Sequence, residues 1–347
     1  MWLTILCRIA ICVYRAETLL SLLENRPPQL QMEELDINLP STFALWNCDG
    51  LDIFEQRYEE EPCLRFVHNM HQLVKSPPLN VPPVPLMEDI YQGLCGLWPR
   101  VWRYARMRRQ NPKNDEPNAE AAWIAEQLDF WKIRLRRFAE RCDVAKDTDG
   151  PSAVFLRAAY RGLEKQPPSG ASDSATRRLE GLLAETVALY HLLGMHTSSD
   201  LLALQHLARA SPADIGAGEV DAGGHLRGWT GSERGRTALL HAVATLKARE
   251  EALTPVREDA AASPVVHAAL LASVSVLWAW MIGLGGCTPG SHSGGVVDLA
   301  QVARQQDSDE GRWLQDGGSG PIILDGVLLC PCAGEAWSRR FSVVLAE

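Results

Sequence analysis

Long stretches of this chain place an apolar residue at every third or fourth position, and clusters of proline and glycine separate them. That spacing is one face of an α-helix, whereas a half-buried strand alternates with a period of two. Residues 2–23 carry it through Leu3, Leu6, Ile9, Val13, Leu20 and Leu23. Eight further segments follow, at 64–75, 86–109, 119–142, 152–163, 174–193, 199–208, 234–251 and 264–284. In 119–142, Leu128, Trp131, Leu135 and Phe138 form one stripe while Lys132, Arg136 and Glu140 fall elsewhere, the pattern of a packed helix. Only PIILDGVLLC at 321–330 reads as extended. Proline and glycine break the pattern at 77–85, 110–117, 166–174 and 211–224. The expected fold is all-α: an irregular multi-helix domain with little or no strand, in two coupled helical halves. The N-terminal half takes 1–165, a linker 166–176, and the C-terminal half with an irregular tail 177–347. No fixed-period repeat points to a solenoid.

The stretch LLSLLENRPPQLQMEELDINLPSTFALW, residues 19–46, shows how the first helix stops. Pro27 and Pro28 cannot donate to a helical ladder, and proline disfavours the helical region for the residue before it. The helix therefore ends near Asn25 or Arg26, and 30–39 runs extended or loosely turned. After Leu39 and Pro40, Ser41 is placed to cap a short apolar helix, Phe43-Ala44-Leu45-Trp46.

The pattern SLL-x-N-x-PP-x-L, an acidic segment and then LP-x-x-x-x-LW resembles the fungal-specific transcription factor domain, the large helical regulatory region of fungal zinc-finger activators. The residues that carry it are Ser21, Leu22, Leu23, Asn25, Pro27, Pro28, Leu30, Glu33, Glu34, Leu39, Pro40, Leu45 and Trp46. Two later blocks fit the same domain: GRTALLHAVATLK at 235–247, with Gly235, Arg236 and His241, and SPVVHAALLASVSVLWAW at 263–280, with His267 and Trp278. Trp313, Gly317 and AWSRRFSVVL at 336–345 match more weakly. The resemblance implies a nuclear regulator of RNA polymerase II transcription. Its blocks are packing and turn elements, so it implies no catalytic residue: the prolines set the chain path, and Leu45 and Trp46 anchor it. Co-regulators, self-association or a small effector are the partners it suggests. Because the chain opens inside the matching region, the resemblance also implies a truncated or partial product. Zinc and DNA would then belong to an upstream finger, and Leu6, Ile9 and Val13 would pack against upstream helices.

Composition agrees with a globular chain. At 347 residues and 46% apolar content it can bury a substantial core. A formal charge of -9, from 34 basic and 43 acidic residues, argues against a chain built chiefly to bind phosphate backbones. Nine scattered cysteines suit mostly buried thiols better than a disulfide framework. No pair has CxxC spacing, and the six thiolates of a zinc binuclear cluster are missing, so no metal is expected in this chain. Cys330-Pro-Cys332 has no second pair nearby.

Other signals have ordinary explanations. His68 and His71 share a face on a helix but lack a third ligand, His191 and His196 diverge, and His241 and His267 read as core histidines. GLGGCT at 283–288 and GAGEVD at 216–221 lack the third glycine of a dinucleotide loop. GSHSG at 290–294 has histidine where a nucleophile elbow needs serine. The basic run RVWRYARMRR offers Arg100, Arg103, Arg106, Arg108 and Arg109 beside Trp102 and Tyr104, read as a solvated helical face. Residues 265–286 are apolar enough to span a bilayer, but burial in a core gives the same composition. The rival classes are a helical enzyme with an apolar substrate cavity and a membrane-associated helical protein.

Overall fold

A computed structural model describes residues 2–47, 50–62, 65, 68–74, 85–110, 119–147, 150–162, 171–209, 220–252, 263–283, 297–304, 313–315 and 322–345. The fold is all-α apart from a three-stranded sheet of very short strands. Two compact units divide the chain: residues 1–106 with 113–190, and residues 107–112 with 191–347. The division thus falls within a helix at 190–191, whereas 166–170 of the expected linker lie outside the described residues and 171–176 are helical.

The first unit begins with α1 (Trp2–Glu24), the short α2 (Phe43–Trp46) and α3 (Leu51–Glu59). Its central helix is α4 (Met87–Gln110), almost wholly buried from Met87 to Pro99. Glu88 and Asp89 stand in its first turn, where acidic groups complement the helix dipole. Asp89 Oδ2 also accepts from the Leu86 N–H at 2.8 Å, satisfying one terminal donor. α5 (Ala119–Asp147) and α6 (Pro151–Ala159) pack together. A Cβ on Gly93 of α4 would lie 1.9 Å from the Trp131 ring of α5, so these helices meet at a distance only glycine permits. Trp98, Trp131, Tyr14, Phe138, Met32 and Met70 fill the core.

On α1 the buried face is Ile11, Tyr14, Thr18, Ser21 and Leu22, while Leu6, Ile9, Val13, Leu20 and Leu23 are exposed, the side the resemblance assigns to upstream helices. The helix has two apolar faces, and periodicity alone does not say which one the core uses. Two details differ from the sequence expectations. Residues 64–75 are not one helix: Met70–Val74 forms a 3-10 turn, and the His68 carbonyl pairs instead with the Leu39 N–H at 2.8 Å. The cap of α2 is Thr42 rather than Ser41, with its hydroxyl accepting from the Leu45 N–H at 3.4 Å.

α7 (Ala171–Ser198) contributes its last turns to the second unit, followed by α8 (Leu201–Arg209), α9 (Val220–Gly231), α10 (Glu233–Ala252) and α11 (Pro264–Gly283). α10 and α11 pack along each other, and α8 and α9 lie against α11. α11 is long and apolar enough to cross a membrane, yet Leu270, Val276, Leu277 and Trp280 are buried inside the unit. β1 (Val297–Asp298) pairs in parallel with β2 (Ile322–Leu324), which pairs antiparallel with β3 (Val327–Leu328). The stretch read as extended is therefore a hairpin. Asp325 and Gly326, both at positive φ, make the two-residue turn that such dipeptides favour. α12 (Leu299–Arg304) and α13 (Gly334–Leu345) complete the unit, with Trp337 fully buried.

Candidate functional site

The two halves of the first motif block turn out to be places where the backbone is fastened. At the end of α1 the chain reverses through Asn25, whose φ of 48° is left-handed. The Arg26 N–H then bonds the Ser21 carbonyl at 3.0 Å and the Asn25 N–H the Leu22 carbonyl at 3.3 Å. This is the six-to-one and five-to-two pairing that ends many helices, with asparagine where glycine usually sits. Pro27 follows at once and prevents continuation. The Ser21 hydroxyl ties the reversal down by donating to the Arg26 carbonyl at 2.7 Å while accepting from Trp98 Nε1 at 2.7 Å. Trp102 Nε1 donates to the Asn25 carbonyl at 3.3 Å. Two tryptophans of α4 thus grip the end of α1.

The LPSTFALW segment is fastened by three arginines. Arg65 donates from Nε and Nη2 to the Pro40 carbonyl at 3.0 and 2.8 Å, and from Nη1 and Nη2 to the Asp89 carboxylate at 2.7 and 2.8 Å. Arg8 donates to the carbonyls of Ser41 and, at 2.6 Å, Thr42. Arg57 reaches the Ala44 carbonyl at 2.6 Å, that of Asn47 at 3.1 Å and that of Gly162 at 2.7 Å. Glu61 completes the set by accepting from the Thr42 N–H at 2.7 Å and the Thr42 hydroxyl at 2.6 Å. A segment with a proline and a short helix has carbonyls that no ladder satisfies, and buried guanidiniums supply donors in a fixed fork.

Burial sets the charges. It lowers the Arg8 pKa to about 10, with Glu88 and Glu61 opposing. Burial also lowers that of Arg65, but the charge and hydrogen bonds of Asp89 outweigh it and the net shift is upward. It pushes the Glu61 carboxyl up, against the Thr42 hydrogen bonds and the charges of Arg65 and Arg8. Nearby, the Tyr160 hydroxyl accepts from the Met87 N–H at 3.1 Å and donates to Glu88 at 2.6 Å. Burial and then Glu88 raise its pKa well above the ordinary value. Such a network holds a loop in one conformation.

The remaining motif residues fall at several kinds of position. Leu39, Pro40 and Leu45 are buried, but Trp46 is exposed, with the Arg8 guanidinium stacked 5.0 Å from its ring, so it does not anchor the core. Pro27 is exposed and Pro28 half-buried. In the second unit Gly235 sits against the turn before α10, where a Cβ would lie 2.1 Å from the Trp229 carbonyl oxygen. Arg236 reaches the carbonyls of Leu314 at 2.7 Å, Gly231 at 2.8 Å and Gln315 at 3.1 Å. Trp278 is half-buried, and the buried tryptophan of that helix is Trp280, 6.2 Å from Trp229. His267 is exposed rather than in the core, beside the Ser263 carbonyl at 3.3 Å. Gly317 and the Gly290 run lie outside the described residues, as do all but the first residue of GLGGCT and all but Val220 and Asp221 of GAGEVD.

The histidines are paired differently from the expectation. His191 and His241 bring their Nδ1 atoms to 2.9 Å across α7 and α10. Gly194 makes room, since a Cβ there would lie 2.3 Å from His241 Nε2. Burial, with Arg109 assisting, lowers the pKa of His196 to about 3. Among the described residues no cluster of three or more His, Cys, Asp or Glu is arranged to hold a metal. Cys330 is disulfide-bonded, unlike the reduced thiol expected of it, and Cys332 is exposed. Burial raises the Cys95 thiol to about 12.

The arginine run of α4 belongs partly to each unit. In the first, Arg100 lies 4.0 Å over Trp123 and 3.8 Å from Glu120, Arg106 stacks on Trp102 at 5.2 Å, and Arg103 is exposed. In the second, Arg108 donates to the Thr197 carbonyl at 2.8 Å and Arg109 lies 3.6 Å from Asp200. Most of this basic face is engaged with its own protein. No family model matches the chain, and no curated protein or solved structure matches it.

Proposed function

We propose that this chain is the helical regulatory region of a fungal transcription factor acting on RNA polymerase II genes in the nucleus. The observation that carries this is the agreement between the motif residues and the fastening points. Ser21, Asn25 and Pro27 make the end of α1, and Pro40 is held by Arg65. In the first block the resemblance picks out positions that build a scaffold, as expected where a family shares architecture and leaves chemistry to another part of the protein. DNA and zinc binding are then properties of a zinc finger in the complete factor, and the helical region works through co-regulators, self-association or an effector.

The experiment is chromatin immunoprecipitation of the protein tagged at its own locus. A restricted set of promoter fragments is the expected recovery. Recovery no greater than from an untagged strain, or a protein confined to another compartment, sinks the proposal.

A further inference from the structure

Residues 339–343 read Arg-Arg-Phe-Ser-Val, a serine with arginines two and three positions before it and an apolar residue directly after it. The sequence contains four Arg-Arg pairs, beginning at 108, 136, 177 and 339, and only the last has a hydroxyl two residues beyond it. Basophilic kinases read that pattern: carboxylates in their clefts pair with the guanidiniums, and a shallow apolar pocket takes the residue after the serine. The structure presents most of it on α13. Ser342 is exposed, Val343 is 61% exposed, and the Arg339 side chain is 76% exposed, with Glu335 one turn back at 3.1 Å. Arg340 is the exception, its side chain 16% exposed. Its Nε and Nη2 donate to the Glu250 carboxylate of α10 at 2.6 and 2.8 Å, and Nη2 also donates to Asp325 Oδ2 at 2.6 Å. The protein's own carboxylates stand where the enzyme's would.

We propose that Ser342 is a phosphorylation site for a basophilic serine/threonine kinase, opened to it when Arg340 leaves Glu250 and Asp325 and the end of α13 unwinds. A kinase cleft takes its substrate extended, and the last turn of a helix opens most easily because its final carbonyls have no partner within the helix. The Ser342 hydroxyl donates to the Ser338 carbonyl at 2.9 Å, a back-bond that adds little to that turn. Trp337, buried one turn earlier, keeps the rest of α13 in place. In the transfer the Ser342 Oγ attacks the γ-phosphorus of ATP and the bond to the β-phosphate oxygen breaks. ADP leaves with that electron pair, and the hydroxyl proton passes to a carboxylate of the kinase. The product carries about two negative charges at the C-terminal end of a helix, where the dipole opposes them. Arg339 and Arg340 can pair with the phosphate in the unwound form, so the opening persists.

The test incubates the full 347-residue chain with magnesium ATP and the catalytic subunit of cyclic-AMP-dependent protein kinase, and maps phosphate by peptide mass spectrometry. A phosphate on Ser342 is expected in the folded chain. Ser342→Ala, an exposed change that leaves the circular dichroism unaltered, removes it, and Arg339→Ala slows labelling at least about tenfold. Glu250→Gln separates a gated site from a bare sequence match, because it loosens the hold on Arg340 without touching the motif. Labelling should speed up several-fold, since the rate follows the fraction of open chains. Asp325→Asn, made in the hairpin turn, should do the same, and circular dichroism shows that each variant is folded. Phosphate absent from Ser342, or found only at other residues, overturns the proposal. So does a rate indifferent to Arg339→Ala, or one that neither Glu250→Gln nor Asp325→Asn raises.

Discussion

Trp98 Nε1 donates to the Ser21 hydroxyl at 2.7 Å, and through that one oxygen the central helix of the first unit holds the end of the first helix. Both residues are fully buried, so the bond has no solvent to replace it. Ser21→Ala leaves the indole N–H without its acceptor, at a cost of about 1–3 kcal/mol. Urea denaturation followed by tryptophan fluorescence measures the loss. Combined with Trp98→Phe, the change should cost less than the two single changes together, and strict additivity would show that the bond contributes nothing.

Arg65 and Asp89 form a bidentate pair with side chains 3% and 0% exposed. Arg65→Met strands a buried carboxylate and frees the Pro40 carbonyl, for a loss of about 3–5 kcal/mol. Adding Asp89→Leu should recover part of it, since removal of both charges spares the lone-ion penalty. A double variant as unstable as the sum of its parts would mean the pair is not a unit.

The His196 pKa of about 3, set by burial and Arg109, fixes the sign of a pH effect. The ring is neutral in the fold and titrates near 6.5 once unfolded, so its contribution is complete above about 6.5 and is lost as pH falls toward 3. Nuclear magnetic resonance of the imidazole protons should show no inflection for His196 between pH 7 and 5. An inflection in that window would place the ring in water.

Leu277 is fully buried in α11. Leu277→Asp should destabilise the chain by about 4 kcal/mol or more by leaving an unpaired charge in an apolar core. A variant that keeps the wild-type melting temperature, with wild type partitioning into vesicles, would favour the membrane-associated alternative instead.

Much of the helical frame is legible because α4, α5, α7, α10 and α11 are long, and between their proline and glycine breaks each is too long for a strand. Shorter elements are not. α3 carries few apolar residues and no sustained stripe, and the Asp325-Gly326 dipeptide, a strong hairpin signal, divides the run read as extended. Both faces of α1 are apolar, so its spacing does not say that Tyr14, Ser21 and Leu22 line the core. Arg57 and Arg65 were missed because a buried arginine reads like a solvated one. The clue lay in the other partner, a proline-marked segment whose carbonyls no ladder could satisfy. His191 and His241 are fifty residues apart, and nothing local announces their contact.

The measurement that bears most directly on the proposed regulatory function is a reporter assay with residues 1–347 fused to a heterologous DNA-binding domain, in a fungal host. The fusion is expected to change reporter expression several-fold relative to the DNA-binding domain alone, in either direction. Expression equal to that of the DNA-binding domain alone, from a fusion that is folded and nuclear, would contradict the account.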